Sequence, residues 1–251
     1  MRPTALRKVL IACLSAGLVS GTAAQTVPAA PPQRTAPAPS RNIEPGFAGL
    51  AASDKLLLMP IDIELYSLSA GGVSEPRADW TEKASKLMTE VIRARQQRAQ
   101  MEVIAMTEAQ ADTFAEQVGL HAAVAQSISL HQFGGSMWAL PTKEGQLLWS
   151  FHDAMQPLRD QTGADYALFF WVRDSYASPE RVAAIVAVAI LTLGHGLLLG
   201  GVQTGYASLV DLRSGDVVWF NHLVRAQGDL REPAPARESM EALLSGFPAV
   251  R

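Results

Sequence analysis

Cysteine is almost missing from this sequence, since Cys13 is the only one among 251 residues. A domain that begins after residue 13 therefore contains no disulfide, and its fold must rest on core packing alone. With 48% hydrophobic residues, the chain has enough apolar side chains for one full domain with its own core.

Positive charge is also scarce. The chain has 21 lysines and arginines against 24 acidic residues, and residues 25–251 alone carry a net charge of −6 because three of the basic residues precede them. Binding to nucleic acid needs a concentration of lysine and arginine that meets the phosphates. The composition therefore argues against a nucleic-acid partner.

Motifs of catalysis and of nucleotide binding are missing as well. The chain has no GxGxxG, GxxxxGK, GxSxG or HExxH, and none of its five histidines has a second ligand at metal spacing. We therefore predict no catalytic residue, no metal and no cofactor, and a protein that is not an enzyme. The alternative is a periplasmic hydrolase with a non-standard site, which would require His131, His152 or Asp153 to converge in a pocket.

The first 24 residues have the pattern of an export signal. Basic residues come first, an apolar stretch follows at 9–20, and small residues precede a cleavage site between Ala24 and Gln25. Cys13 follows Leu-Ile-Ala, which is the pattern of a lipidation site, but cleavage there would leave an apolar stretch of only 9–12. We therefore predict cleavage after Ala24, with lipidation of Cys13 as the alternative, and a location in the periplasm or at the outer membrane.

Residues 25–46 contain six prolines among alanine, glutamine, threonine and serine. Such a composition cannot bury a core and predicts an extended, disordered linker. The remaining residues, 47–251, are predicted to form a single domain.

Helical and strand patterns alternate along this domain. Two signals stand out: Thr107 and Gln110 have the spacing of a capping box, and residues 144–162 carry an apolar stripe that predicts one helix. Residues 165–177 are apolar on both faces, which is typical of a central strand. Residues 213–216 predict the turn of a C-terminal hairpin. The fold class that follows is α/β, with a mixed sheet in a three-layer arrangement with flanking helices, a parallel first half and an antiparallel C-terminal hairpin.

One apolar excursion, residues 182–202, interrupts this pattern with 21 uncharged residues between two strands of the same sheet. We expect it to pack as a buried helix or helical hairpin. The alternatives are an exposed contact with a second copy or with a membrane surface, and a membrane-spanning helix. As an interaction segment it would present the following residues: Val182, Ile185, Val188, Leu191, His195 and Leu198.

Three stretches resemble a known group of bacterial envelope proteins. They are GAD at 163–165, the hairpin DLRSGDVVW at 211–219 and LLSGFP at 243–248. They are similar to the α/β fold of the TolB N-terminal domain and of the curli-secretion lipoprotein (CsgG-like). The resemblance implies a non-enzymatic role in the envelope. Together with the signal sequence it predicts an exported binding or assembly component, whose partner at 182–202 is an envelope protein, a second copy or a membrane surface.

Overall fold

The computed structural model describes residues 41–193 and 200–251, which belong to one compact unit, Pro39–Arg251. The predicted signal peptide, its cleavage residues Ala24 and Gln25, and Cys13 lie outside the described residues. So do His195 and Leu198 of the predicted interaction segment.

The described residues form a six-stranded mixed sheet. The strands are β1 (Lys55–Leu68), β2 (Ser74–Pro76), β3 (Glu102–Ala105), β4 (Tyr166–Ala177), β5 (Gln203–Asp211) and β6 (Val217–Arg225). Their order is β2-β1-β4-β5-β6, and β3 pairs with the same edge of β1 as β2 does. β1 runs parallel to β3 and β4 and antiparallel to β2, whereas β5 runs antiparallel to both β4 and β6. The predicted mixed sheet with a parallel first half and an antiparallel hairpin is confirmed.

Helices cover both faces of this sheet. They are α1 (Ala78–Gln96), α2 (Glu108–Ala111), α3 (Ala115–Ile128), α4 (Gln156–Thr162), α5 (Pro179–Leu191) and α6 (Pro233–Leu243). α1 and α6 supply buried residues to a core on one face, and α3 and α4 supply them to a core on the other face. The architecture is therefore helix, sheet, helix, and α5 belongs to neither core.

β4 lies at the centre because both of its faces are apolar. Phe170 and Val172 pack in the core with α1 and α6, while Ala167 and Phe169 pack in the opposite core. Alternate residues of a strand point to opposite faces, so only a strand with two apolar sets can stay in the middle of two layers. The prediction for residues 165–177 is confirmed.

The pattern of apolar residues in β1 changes halfway along the strand. A register shift between Leu58 and Ile61 separates its continuously apolar first half from a second half that alternates. There Asp62 and Glu64 lie on one side and share Arg173, at 2.7 and 3.6 Å. The two carboxylates thus share one cation of the neighbouring strand, which offsets one of their two charges.

The single helix predicted over 144–162 is wrong. Glu144 adopts a left-handed conformation (φ 49°), and only Gln156–Thr162 is α-helical. Between them the backbone joins the hairpin: the Phe151 amide donates to the Gly215 carbonyl at 2.8 Å, and the Val217 amide donates to Trp149. Most of the apolar stripe of this segment is still buried, at Leu147, Phe151, Met155 and Leu158, whereas Leu148 is 42% exposed.

Two local signals were interpreted correctly. The capping box at Thr107 and Gln110 is present in both directions. The hairpin turn at 213–216 places Gly215 at φ 79°. The segment ahead of the sheet is also engaged, since the Phe220 amide donates to the Asn42 carbonyl and the Glu44 amide donates to Val218. Residues 42–44, assigned to the linker by composition, therefore pair with β6.

Candidate functional site: an exposed apolar arm

The helix α5 leaves the sheet at the end where β1 and β4 finish. Its start is set by Ser178, whose side-chain oxygen accepts a hydrogen bond from the Arg181 amide, and by Pro179 in the first turn. The helix ends at Leu191, and Leu193 has a left-handed backbone (φ 51°). We call residues 179–193 the arm.

Exposure is the unusual property of the arm. Arg181 is the only buried residue of α5, and apolar side chains beyond it are open to solvent. Their exposed fractions are 49% at Val182, 52% at Val186, 69% at Ile190, 83% at Leu191 and 88% at Leu193. The expectation of a buried helix is therefore wrong for this part of the excursion, because both cores close without any residue of the arm.

The exposed residues lie on one side of the helix. Val182, Val186 and Ile190 follow one another at four-residue steps, and the alanines at 183 and 187 extend the same face. Ile185 and Val188 are half-buried on the opposite side. Of the residues predicted to make contacts, the structure thus puts Val182 and Leu191 on the exposed surface. Val186 and Ile190 join them, which the sequence reasoning did not single out.

The two ends of the excursion are held together at the sheet. The Ser175 hydroxyl accepts a hydrogen bond from the Val202 amide at 3.1 Å and lies 3.4 Å from the Val202 carbonyl. Gly201 passes so close that a Cβ there would lie 1.8 Å from the Ser175 carbonyl oxygen. Only glycine allows this approach, so the point where the chain returns is sterically fixed.

A buried polar network reinforces the same point. The Asp174 carboxylate accepts hydrogen bonds from the Tyr176 hydroxyl (2.6 Å), the Gln203 amide group (3.0 Å) and the Ser175 backbone amide (2.8 Å). Gln203 in turn accepts a hydrogen bond from the Ser239 hydroxyl of α6 at 2.8 Å. Burial raises the pKa of Asp174, although the hydrogen bonds from Tyr176 and Gln203 oppose that shift. The network ties β4, β5 and α6 together beside the arm.

Sequence reasoning missed this network. Its signal was an aspartate near the end of a strand whose first half is apolar, since a buried carboxylate requires polar partners. Gln203 and Ser239, which complete it, lie 29 and 65 residues further along the chain. Nothing local in the sequence relates them to Asp174.

Arg181 connects the arm to the loop that follows β1. It is 9% exposed, and its guanidinium donates a hydrogen bond to the Ser69 carbonyl at 3.2 Å. The start of the arm is therefore held at the end of the sheet by the hydrogen bond of this buried cation.

The residues of the hydrolase alternative are not brought together. His131 lines a cavity of about 200 Å³, and its Nδ1 lies 2.7 Å from the Trp138 carbonyl oxygen. Neither His152 nor Asp153 lines that cavity. Asp153 instead accepts a hydrogen bond from the Gln156 side chain at 3.2 Å.

Over residues 41–193 and 200–251, no group of three or more histidine, cysteine or acidic side chains is arranged to hold a metal ion. Among the helices in those same ranges, none has both the length and the apolar character needed to cross a membrane.

Comparison with known proteins gives structural likenesses only. No family model and no curated protein matches the chain. Among solved structures, the PelC dodecamer from Paraburkholderia phytofirmans is 14% identical with a TM-score of 0.36, over 80% of this chain and 93% of that one. The LpoB C-terminal domain from Salmonella enterica is 12% identical (TM-score 0.27; 72% of this chain, 87% of that one). Lipoprotein GNA1162 from Neisseria meningitidis is 17% identical (TM-score 0.27; 68% and 81%). The resemblance to the TolB N-terminal domain stays a prediction.

Proposed function

We propose that this protein is a non-enzymatic, exported component of the bacterial cell envelope that binds or assembles through the arm. The observation that carries the proposal is the exposed apolar face of α5, held at a fixed position by Arg181 and by the network around Asp174. A helix that faces water normally presents polar side chains there. A contiguous apolar surface on a folded domain instead marks a contact with a partner.

The free energy gained by burying the exposed arm residues is large enough to drive such a contact. The exposed fractions of the five arm residues together amount to roughly three whole aliphatic side chains, so covering them is worth about 5–10 kcal/mol. A free energy of this size is comparable to the whole stability of many domains. The arm is therefore a candidate binding surface.

Export is supported by the signal pattern of residues 1–24, and a role other than catalysis is supported by the separation of the polar candidates. His152 does not line the cavity that His131 lines, and Asp153 accepts a hydrogen bond from Gln156 at the start of α4. No observation favours the hydrolase alternative.

The test compares the full exported chain with variants of its arm, by light scattering after size exclusion in detergent-free buffer. We expect the wild-type protein to associate or to require detergent. Ile190→Glu and Leu191→Glu should both give a monomer, since burying a carboxylate in this contact is costly unless a cation or a hydrogen-bond donor pairs with it.

Leu120→Glu is the matched control, because Leu120 is an exposed leucine on α3 that belongs to neither core. It should associate as the wild type does. A wild-type protein that stays monomeric at every concentration without detergent, and that binds no membrane, would contradict the proposal.

A further inference from the structure

We propose that the groove bounded by α1, α6 and the strands beneath them binds a single-chain anionic amphiphile. Its aliphatic chain would occupy the groove, and its head group would meet Arg95 and Arg98. The groove lies at the end of the sheet where β1 begins, whereas the arm lies at the end where β1 finishes. This inference therefore goes beyond the proposed function and concerns a separate site.

The size of the groove sets it apart from packing defects. It is a cavity of about 830 Å³ that opens to solvent. Voids in a protein interior are seldom larger than a water molecule. Sites for small organic ligands have volumes of roughly 300–1,000 Å³ and are lined mainly by apolar side chains with a few polar groups. The groove meets both conditions.

Three adjacent strands form the floor of the groove. Leu56 and Leu58 of β1 line it, and the register places Val103 of β3 beside Leu56 and Leu168 of β4 beside Leu58. Leu56 and Leu168 are buried, whereas Leu58 and Val103 are only half-buried. The floor is thus an aliphatic surface that the helices leave partly uncovered.

The walls of the groove are held in place by the fold. α1 supplies one wall, and the other consists of Met240 of α6 and Phe247 in the segment that follows. That segment is fixed, because the Leu50 amide donates to the Ala249 carbonyl at 3.3 Å and Phe247 packs edge-on against Trp219. The groove is therefore pre-formed, as is usual for ligand sites.

Charge is distributed unevenly around the opening. Residues 91–101 include three arginines and no acidic residue, and two of these arginines, Arg95 and Arg98, line the groove. Glu90 also lines it, but it precedes Arg95 by about 7.5 Å along the helix axis. On the opposite side, Arg237 and Glu241 contribute one charge of each sign. The end of the groove at Arg95 and Arg98 is therefore cationic.

These two arginines are available to a ligand. Within residues 41–193 and 200–251, neither Arg95 nor Arg98 forms an ion pair, and the acidic residue that follows them, Glu102, is paired with Lys55 at 3.3 Å. Cations are common at a helix C-terminus because they offset the helix dipole. Here they also border an apolar groove, and a guanidinium group pairs well with a planar carboxylate.

The lining of the groove thus specifies the chemistry of its ligand. An aliphatic chain matches the floor and the walls, and a negative head group matches the cationic end. A long-chain carboxylate combines the two properties. The concave shape suits a small molecule of this kind.

Isothermal titration of the full exported chain with dodecanoate, kept below its micellar concentration, tests the inference. We expect one binding site. Decanoate, which is shorter by two methylene groups, should bind about fifteenfold more weakly. Dodecyltrimethylammonium has the same chain length with a cationic head group, and it should bind about tenfold more weakly or less.

A substitution that fills the groove locates the site of the chain. Ala94 is exposed and lines the groove, so the larger side chain of Ala94→Trp should weaken dodecanoate binding about tenfold or more. Ala123→Trp is the matched control, because Ala123 is an exposed alanine of α3 on the other face of the sheet. It should bind dodecanoate like the wild type.

Two further substitutions locate the head group. Arg95→Gln and Arg98→Gln should each weaken dodecanoate binding about fivefold without weakening that of dodecyltrimethylammonium. Arg159→Gln makes the same charge change at an exposed arginine of α4 and should have no effect. Both groove arginines are exposed, so these variants test the site even if Ala94→Trp does not fold.

Four results would overturn the inference. One is the absence of any binding of dodecanoate, and another is equal affinity for dodecanoate and dodecyltrimethylammonium. A third is binding that Ala94→Trp, Arg95→Gln and Arg98→Gln all retain, since the ligand would then lie elsewhere. The fourth is an oligomer that Ala94→Trp dissociates in a protein that binds no dodecanoate, which would make the groove a protein contact.

Discussion

His121 makes the stability of this protein depend on pH. The ring is 3% exposed, lies against Phe169 with 3.7 Å between ring centroids, and its Nε2 has no hydrogen-bond partner among the described residues. Burial lowers the pKa of His121 from 6.5 to about 3. The folded protein therefore keeps this ring neutral at pH values where the unfolded chain takes up a proton.

The sign and the size follow from that difference. Because the pKa is lower in the folded state, the stabilisation is fully present above pH 6.5 and is lost as the pH falls towards 3. Each pH unit in this window costs about 1.4 kcal/mol, so the loss between pH 8 and pH 5 is about 2 kcal/mol from His121 alone. In His121→Leu this contribution is gone, while every other titrating group remains.

The assay is urea unfolding at pH 8 and pH 5, followed by the fluorescence of the five tryptophans. We compare the stability difference between the two pH values in the wild type and in His121→Leu, since any packing effect of leucine cancels in that comparison. The variant should lose about 2 kcal/mol less than the wild type.

An equal loss in His121→Leu and in the wild type would refute this reasoning. It would mean that the ring is solvated, or that it finds a partner for its second nitrogen in solution. The wild type and His121→Leu could also differ by less than about 2 kcal/mol in their stability loss, with the same slope of unfolding free energy against urea concentration. That result would place the folded pKa of His121 closer to 6.5.

Two further predictions concern the point where the arm joins the sheet. Asp174→Asn should destabilise the protein by about 1–3 kcal/mol, because an amide cannot accept all three hydrogen bonds. Because burial raises the pKa of Asp174, the wild type is stabilised relative to Asp174→Asn at low pH, and part of this stabilisation is lost as the pH rises through the folded pKa. The stability deficit of the variant, measured by urea unfolding, should therefore be larger at pH 4 than at pH 7. A deficit that grows with pH would contradict this. Gly201→Ala should cost about 2 kcal/mol or more through its collision with the Ser175 carbonyl. Gly200→Ala, where nothing lies within 4 Å of a Cβ, is the control, and equal unfolding midpoints for the two variants would disprove the steric argument.

Local patterns were sufficient where the structure depends on neighbours in sequence. The two apolar sets of residues 165–177 predicted the central strand, because side-chain alternation is a property of the strand itself. The turn at 213–216 and the capping box at Thr107 were also correct, since each depends on residues within four positions.

The segment 144–162 shows where this reasoning failed. The apolar residues Leu147, Phe151, Met155 and Leu158 were expected to be buried and are buried. The backbone conformation was determined by the C-terminal hairpin. The Gly215 carbonyl accepts a hydrogen bond from the Phe151 amide, and the Val217 amide donates one to the Trp149 carbonyl. A periodic apolar pattern identifies which side chains turn inward, but competition from a distant strand can change the conformation that achieves it.

The sequence by itself determined the class of the fold and the presence of an uncharged segment between two paired strands. Only the tertiary structure decided whether that segment packs in the core or lies exposed on the surface. Apolar composition is the same for a helix in a core and for a helix on a contact surface, and the two cores here are completed by α1, α3, α4 and α6. The exposed arm and the network of Asp174, Gln203 and Ser239 arise from residues that meet only after the sheet has formed.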